Sequence, residues 1–473
     1  MPLDRAVILL PHEGPGPACP NPPARRKVLG LTLLERVVLT SAQAGAKDFI
    51  FSGPPGTYWE SVIDDLKGNR QIRARALRLE FVPLSETGGS SRASSPGGPF
   101  WLIPGDLVFD PAVMERASEA ASAEDGPLHL VDRLRPAGPD RTDSVSLRID
   151  ERSGRATGFV NSPEEGSVAY SGISVCPADF FPRLAALFAE RDGLRLDAET
   201  LNAVLLPEGS RVLDVGGAFS RRAATGAGLK DAQRYLLGTA RKATDSFFAR
   251  HVNRPISLLI TRPLLPTGVP PNALSVACLA IGLSGCWFIS RGGYLPSVLG
   301  AFLFEFASIF DGCDGEVARL TFRTSKFGGY LDMIGDIVIF VLFFLCLPVG
   351  LYRSTHRPVW IVLGVVALLS MATFYLQFAA FMKKARLGNL VVGVVKDIEA
   401  RTGQPGFGGR LDRLAGKIAF IYRRDFFTTI SFIVIGLGGS AVLMGILGVF
   451  MPLEPVYMYF YSRRRFPTTN KAE

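Results

Sequence analysis

The sequence predicts an α/β, Rossmann-like soluble domain followed by an all-α, six-helix transmembrane bundle, with an interfacial amphipathic helix between the two. Three observations predict this. From Met1 to about Lys230, charges mix with short apolar runs whose periodicity alternates between strand and helix. From about Asn272 to Tyr461 the chain holds several apolar stretches of membrane-spanning length. Hydrophobic residues make up 48% of the chain and charged residues only 20%, an average that conceals this division.

In the first half, Ala6–Pro11 reads as an apolar strand. Leu34, Val37, Val38 and Ala42 give Leu31–Ala44 a helical period. Lys47–Ser52 is a second strand and ends in the turn Gly53-Pro54-Pro55-Gly56. A helix over Trp59–Leu66 and a strand over Leu79–Pro83 follow. Ser85–Pro99 is rich in Gly, Ser and Pro and reads as a loop. Phe100–Ile103 is then a strand leading into Pro104-Gly105-Asp106. The start carries no basic, apolar signal pattern but a Pro- and Gly-rich stretch, Pro11–Pro23. Six scattered cysteines lack metal spacing and read as buried thiols.

Leu236, Ala240, Ala243 and Phe247 recur at spacings of four, three and four. That period makes Asp231–Leu265 an amphipathic helix for the membrane interface, with Arg241, Lys242, Arg250 and Arg254 on it. Six spans follow, at about Asn272–Ser290, Leu295–Val317, Phe327–Leu351, Pro358–Met382, Phe426–Leu437 and Ser440–Tyr461. The expected division is therefore 1–230, 231–270, 271–462 and a tail, 463–473. Arg319, Arg323, Lys326, Lys383, Lys384, Arg386, Lys396, Arg410, Arg413, Lys417, Arg423, Arg424 and Arg463–Arg465 gather on one side. Only Arg291, Arg353 and Arg357 lie on the other. The positive-inside rule then makes both termini cytoplasmic, in a bacterial inner membrane. The net charge of +9 has no nucleic-acid motif beside it and suits anionic lipid.

The stretch Asp311-Gly-Cys-Asp314-Gly315-Glu-Val-Ala318-Arg319, continuing to Gly328, Asp332 and Asp336, has the form D-x2-D-G-x2-A-R-x8-G-x3-D-x3-D. Asp311, Asp314, Gly315 and Ala318 share one face of the second span. Gly328, Asp332 and Asp336 share one face of the third. A short loop makes the two helices antiparallel neighbours, so four carboxylates can converge near the cytoplasmic surface. Four such charges near lipid need a cation. Asp oxygens are hard ligands with no His or Cys beside them, which selects Mg²⁺, Mn²⁺ or Ca²⁺. Two ions suit four Asp and phosphoryl chemistry. Gly315, Ala318 and Gly328 clear space, and Arg319 can pair with a phosphate. An ion path in an acid-lined transporter is the alternative reading of intramembrane acids, although no internal repeat accompanies them. Glu305 lies deeper in the second span, as a snorkelling, hydrogen-bonded or site-touching residue.

This pattern resembles the signature of the CDP-alcohol phosphotransferases at every fixed position, over roughly Ala240–Arg465. The resemblance implies that Asp311, Asp314 and Asp332 hold two Mg²⁺ or Mn²⁺ ions. Asp336 would complete the site and act as general base on an acceptor hydroxyl. Gly315, Ala318, Arg319 and Gly328 would surround the CDP of a CDP-alcohol donor. The implied partners are a lipid or inositol phosphate acceptor and membrane lipids, with a homodimer as a candidate assembly. Arg254, Arg262, Lys383, Lys384 and Arg424 are candidates for an acceptor phosphate, Arg424-Asp425 foremost.

The soluble half resembles sugar-nucleotide nucleotidyltransferases through Gly30-Leu-Thr-Leu-Leu-Glu-Arg36, Gly105-Asp106 and Val212-Leu-Asp214-Val215. The two-domain layout is similar to fusions of inositol-1-phosphate cytidylyltransferase with a CDP-alcohol phosphotransferase. That implies CDP-inositol as donor, with CDP-diacylglycerol phospholipid synthesis as the alternative. The first strand departs from the pattern. Pro11-His-Glu-Gly14-Pro-Gly16-Pro replaces a Gly-rich phosphate loop, and proline lacks the amide donor such a loop uses. Lys27 is the candidate replacement for the loop's Lys. The expectation is a nucleotidyltransferase-type domain that has lost turnover.

Overall fold

The computed structural model describes residues 3–10, 22–54, 57–83, 96–120, 126–134, 145–150, 152–161, 164, 167–190, 198–206, 210–241, 245, 248–385 and 424–465. The expectations for Pro11–Pro23 and Ser85–Pro99 fall largely outside these, as do those for Arg386, Lys396, Arg410, Arg413, Lys417 and Arg423. The chain forms two compact units, Met1–Gly238 and Thr239–Glu473.

The first unit is built on one sheet. Its strands β1 (Arg5–Leu9), β4 (Asp48–Gly53), β5 (Arg78–Pro83) and β6 (Phe100–Pro104) run parallel in the order β6-β1-β4-β5. The short hairpin of β2 (Lys27–Val28) and β3 (Leu31–Thr32) stands apart from it. Ala6, Val7 and Ile8 are fully buried, as a strand covered on both faces requires. Helix α1 (Leu33–Gln43) follows β3 through a capping box, in which Thr32 and Glu35 satisfy each other's amides. Next come α2 (Thr57–Gly68) and α3 (Arg70–Ala74).

Beyond β6 lie β7 (Leu107–Phe109), α4 (Pro111–Ala120), β8 (Leu128–Asp132), β9 (Ser146–Ile149), β10 (Ala156–Val160) and β11 (Ser167–Cys176). Strand β11 pairs antiparallel with β6, β8 and β9. It shifts register between Tyr170 and Ser174, where Gly172 takes φ +86°, a conformation that suits glycine. After α5 (Phe180–Glu190) and α6 (Ala198–Leu205), β12 (Arg211–Asp214) joins β8 in parallel, and β13 (Ser220–Arg222) pairs with β7. The strands expected from sequence are in place.

Helix α7 (Gly226–Thr239) closes this unit. The amphipathic helix expected over Asp231–Leu265 is not continuous. Its first part is α7, which ends at Thr239. A new helix begins as a π turn over Ala249–Asn253 and continues as α8 (Arg254–Leu264). Ala243 and Phe247 lie outside the described residues. The spacing was helical on both sides of the break, so periodicity alone could not show it.

The second unit continues with α9 (Pro271–Arg291), α10 (Tyr294–Leu320), α11 (Lys326–Thr355), α12 (Val359–Ala385), α13 (Arg424–Gly436), α14 (Ser440–Phe450) and α15 (Leu453–Arg465). Among the described residues, five segments are long and apolar enough to cross a membrane: α9, α10, α11, Val359–Phe381 and Ser440–Phe460. The fifth expected span, Phe426–Leu437, falls on α13. Its 13 residues extend ~20 Å, against a hydrocarbon core of ~30 Å.

Helices α10 and α11 do not pack as the close neighbours expected from their short link. Each packs chiefly on α9. Small residues draw them there. A Cβ on Gly285 would meet the Gly300 carbonyl at 2.9 Å, and one on Gly282 would collide with Ile339. A cluster including Phe304, Phe343, Phe344 and Phe427 fills the bundle interior.

Candidate active site

The acid pattern is carried by the C-terminal part of α10 and the first turns of α11. Ser325 starts α11 by accepting a hydrogen bond from the Gly328 amide at 3.0 Å. A Cβ on Gly328 would sit 2.9 Å from Asn272 Oδ1, so a side chain there would have to displace the Asn272 amide. With the backbones splayed on α9, side chains reach across the gap. Carboxylate oxygens of Asp311, Asp332 and Asp336 lie within 4.8 Å of one another.

Asp314, expected as a fourth member, is not part of that convergence. It is buried, and its carboxylate accepts a hydrogen bond from the Ser275 hydroxyl on α9. Arg424, the first residue of α13, pairs with both Asp311 and Asp336. One guanidinium thus offsets two of the three carboxylates. The buried Oδ1 of Asp332 has no hydrogen-bond partner among the described residues. An orphaned carboxylate oxygen beside two more acids fits a bound divalent cation, which prefers oxygen ligands.

Other expected residues are placed differently. Arg319 does not project freely toward a phosphate. Its Nε and Nη2 donate to the Ala240 carbonyl at 3.0 and 2.6 Å. A Cβ on Gly315 would meet Arg319 Nη1 at 3.0 Å, so this glycine makes room for the guanidinium. Ala318 is half-buried on the same turn. Glu305 is buried, and its Oε1 accepts from Thr429 Oγ1 at 2.7 Å.

Sequence reasoning passed over Glu316, inside the motif. It is fully buried. Its Oε1 accepts from Ser257 Oγ at 2.5 Å and Arg254 Nη1 at 3.2 Å, and its Oε2 from Thr261 Oγ1 at 2.6 Å. Arg254 also donates to both oxygens of Asp245, at 2.8 and 2.9 Å. Burial pulls the Arg254 pKa down, but Asp245 and Glu316 together hold it above the ordinary arginine value. The available signal was an acid in an apolar segment with no assigned role.

In the first unit, Asp106 is not open to a metal. Arg222 Nε lies 3.2 Å from each of its carboxylate oxygens and Nη2 lies 2.9 Å from Oδ2. Asp214 accepts from the amides of Arg133 and Gly216. Strands β11 and β8 separate β6 from β12 in the sheet. Asp106 sits in the turn after β6 and Asp214 ends β12, so the two follow strands that are not neighbours in the sheet.

Residues 269–400 match the family model for CDP-alcohol phosphatidyltransferase, a span that contains every acid of the cluster. The helical unit is thus similar to the CDP-alcohol phosphatidyltransferases over the stretch that carries the acids. Curated relatives extend the likeness across both units. A protein of Aquifex aeolicus named bifunctional IPC transferase and DIPP synthase is 27% identical over 372 residues, 76% of this chain and 80% of the relative. A protein of Rubrobacter xylanophilus with the same name is 29% identical over 322 residues, 67% of this chain and 70% of the relative. Among solved structures, the inositol-1-phosphate CTP transferase from T. maritima aligns at a TM-score of 0.38 and 16% identity, over 49% of this chain and 95% of that one. The family match and the enzyme names of the relatives support a transferase of the CDP-alcohol phosphotransferase type.

Proposed function

We propose that the chain transfers a phosphoalcohol group from CDP-inositol to the hydroxyl of a phosphorylated polyol such as inositol phosphate, releasing CMP. The observation that carries this is the convergence of Asp311, Asp332 and Asp336 beside Arg424. In the proposed reaction Asp336 takes the proton of the acceptor hydroxyl. The hydroxyl oxygen bonds to the phosphorus bearing the alcohol, and the bond to CMP breaks. Asp311, Asp332 and Asp336, with Asp314 adjacent, would hold two Mg²⁺ or Mn²⁺ ions. Such ions would neutralise charge on the diphosphate. Arg424 is the candidate group for an acceptor phosphate, because a guanidinium already between two oxyanions can exchange one for another.

The choice of inositol rests on the names of the two relatives. Purified full-length protein supplied with CDP-inositol and inositol 1-phosphate is expected to form CMP and a phosphodiester of the two polyols, read by mass spectrometry. Product formed only from CDP-diacylglycerol would replace this reading with phospholipid synthesis.

The distribution of Lys and Arg supports a topology with both termini and the acid cluster on the cytoplasmic side. A cytoplasm-active reporter fused after Glu473 is expected to be active, and a periplasm-active one silent. The reverse result would discard this topology. The amphipathic α8, with Ile256 and Leu259 exposed, is proposed to lie at the membrane interface.

The first unit is proposed not to turn over CTP. The names of the relatives describe two activities, but here Arg222 occupies both oxygens of Asp106. With CTP, inositol 1-phosphate and Mg²⁺, the full chain is expected to release pyrophosphate at the background rate, unchanged by Asp106→Ala. Robust release abolished by that substitution would make this chain a bifunctional enzyme.

A further inference from the structure

Arg424 bridges Asp311 and Asp336 only while the start of α13 keeps its height beside α10 and α11. The length of α13 does not secure that height. Its 13 residues are too few to be pinned by both faces of a bilayer, so lateral contacts must set it. Helix α13 packs chiefly on α10. Part of that contact is aromatic, with the Phe427 ring 5.5 Å from that of Phe343 and 6.4 Å from that of Phe304. Apolar contact gives adhesion, but it is non-directional and fixes register weakly.

Two polar contacts cross the same interface. At the outer one, Arg424 pairs with Asp311. At the inner one, the Thr429 hydroxyl donates to Glu305 Oε1 at 2.7 Å, with Glu305 only 7% exposed. Thr428, fully buried, lies beside the same carboxylate. On α10, Glu305 comes six residues before Asp311, ~9 Å of helix. On α13, Thr429 comes five residues after Arg424, ~7.5 Å of helix. The two helices run antiparallel here, and the two lengths nearly match, so both contacts close in one register. A slip of one residue, ~1.5 Å along the axis, is larger than the whole spread of hydrogen-bond lengths. Asp336, Arg424 and Thr428 line one small cavity beneath the acids, so a shift of α13 would alter the site itself. An acid buried in an apolar span is costly, which marks Glu305 for a role beyond filling space.

We infer that Glu305 is a positioning residue: through Thr429 it sets the register of α13 on α10, and so holds the Arg424 guanidinium between Asp311 and Asp336. Its consequence for transfer rests on the proposed transferase reading, in which Arg424 takes the acceptor phosphate. Its structural part needs only the acids. In place, the Arg424 charge opposes a cation at Asp311 and Asp336; displaced, it lets them bind a cation more tightly.

The test titrates Mn²⁺ alone into full-length protein in detergent, read by calorimetry. Arg424→Met is expected to tighten Mn²⁺ binding about tenfold, because a unit positive charge leaves the cluster. Glu305→Leu and Thr429→Val break the inner contact from either side. Each is expected to tighten binding several-fold, and to add nothing in the Arg424→Met background. Thr429→Ser keeps the hydroxyl and Glu305→Gln keeps an acceptor oxygen, so both should stay within about twofold of wild type. With CDP-inositol and inositol 1-phosphate, Glu305→Leu and Thr429→Val should raise the acceptor KM about fivefold and leave the CDP-inositol KM within about twofold. Wild-type Mn²⁺ affinity in both Glu305→Leu and Thr429→Val would overturn the inference, because aromatic packing alone would then set the register. A tightening that adds to that of Arg424→Met would also overturn it, since the effect would not pass through Arg424. A wild-type protein that ignores inositol 1-phosphate would fail the transferase reading, while the Mn²⁺ comparison still decides the positioning role.

Discussion

Replacing Asp336 by Asn should reduce CMP formation by roughly 10²–10⁴-fold, the usual weight of a positioned general base. Asn keeps the shape of the side chain but cannot take a proton. Asp336 is suited to the role by position. It lines the cavity, is partly exposed and belongs to the three-carboxylate cluster. Asp332→Ala should be at least as damaging, since it removes the orphaned oxygen that best fits a cation. The two defects should differ in form. Asp332→Ala should also lower the apparent affinity for Mg²⁺ or Mn²⁺, read by calorimetry, whereas Asp336→Asn should lower kcat more than metal affinity. Either variant releasing CMP from CDP-inositol at the wild-type rate would remove these carboxylates from the chemistry.

Much of the acid cluster was legible because helical spacing is local. Residues three or four apart share a face whatever the rest of the chain does. What the carboxylates meet was not local. Ser275 draws Asp314 aside from another helix, and Ala240 claims Arg319. Arg424 was a named candidate, yet its bridging of Asp311 and Asp336 depends on a contact across 113 residues of sequence. The central α/β order was readable from alternating apolar runs, and β1, α1, β4 and β6 fall where expected. Strand order was not, because pairing across the sheet leaves little local trace. Asp106 and Asp214 looked like partners in the chain but follow strands that β11 and β8 separate in the sheet, and Arg222 of β13 takes the place beside Asp106. The helix over Asp231–Leu265 was over-extended because an apolar period continues past a backbone break. The fifth expected span, Phe426–Leu437, lies on α13, but 13 residues are too few to cross the hydrocarbon core.

Glu316→Ala should destabilise the helical unit by about 3–5 kcal/mol, comparable to breaking other buried ion pairs. The carboxylate is fully buried and accepts from three donors, Ser257, Thr261 and Arg254. Alanine leaves Thr261 and the Arg254 guanidinium short of an acceptor, at about 1–3 kcal/mol each before relaxation, while Ser257 keeps the Arg254 carbonyl at 3.2 Å. Asp245 still compensates the Arg254 charge, which keeps the loss below the sum. Glu316→Gln retains one acceptor oxygen and should lose about half as much. The loss should also reach function, because the network joins α8 to the turn of α10 between Asp314 and Arg319. A Cβ on Gly312 would meet Arg254 Nη1 at 2.8 Å, so the fit between these elements is close. Thermal unfolding in detergent should rank wild type above Glu316→Gln, and Glu316→Ala lowest. Arg254→Met should lower stability in the wild-type background by more than it does beside Glu316→Ala, because the pair is coupled. Additive losses, or a Glu316→Ala protein within 1 kcal/mol of wild type, would show that this buried carboxylate does not hold α8 in place.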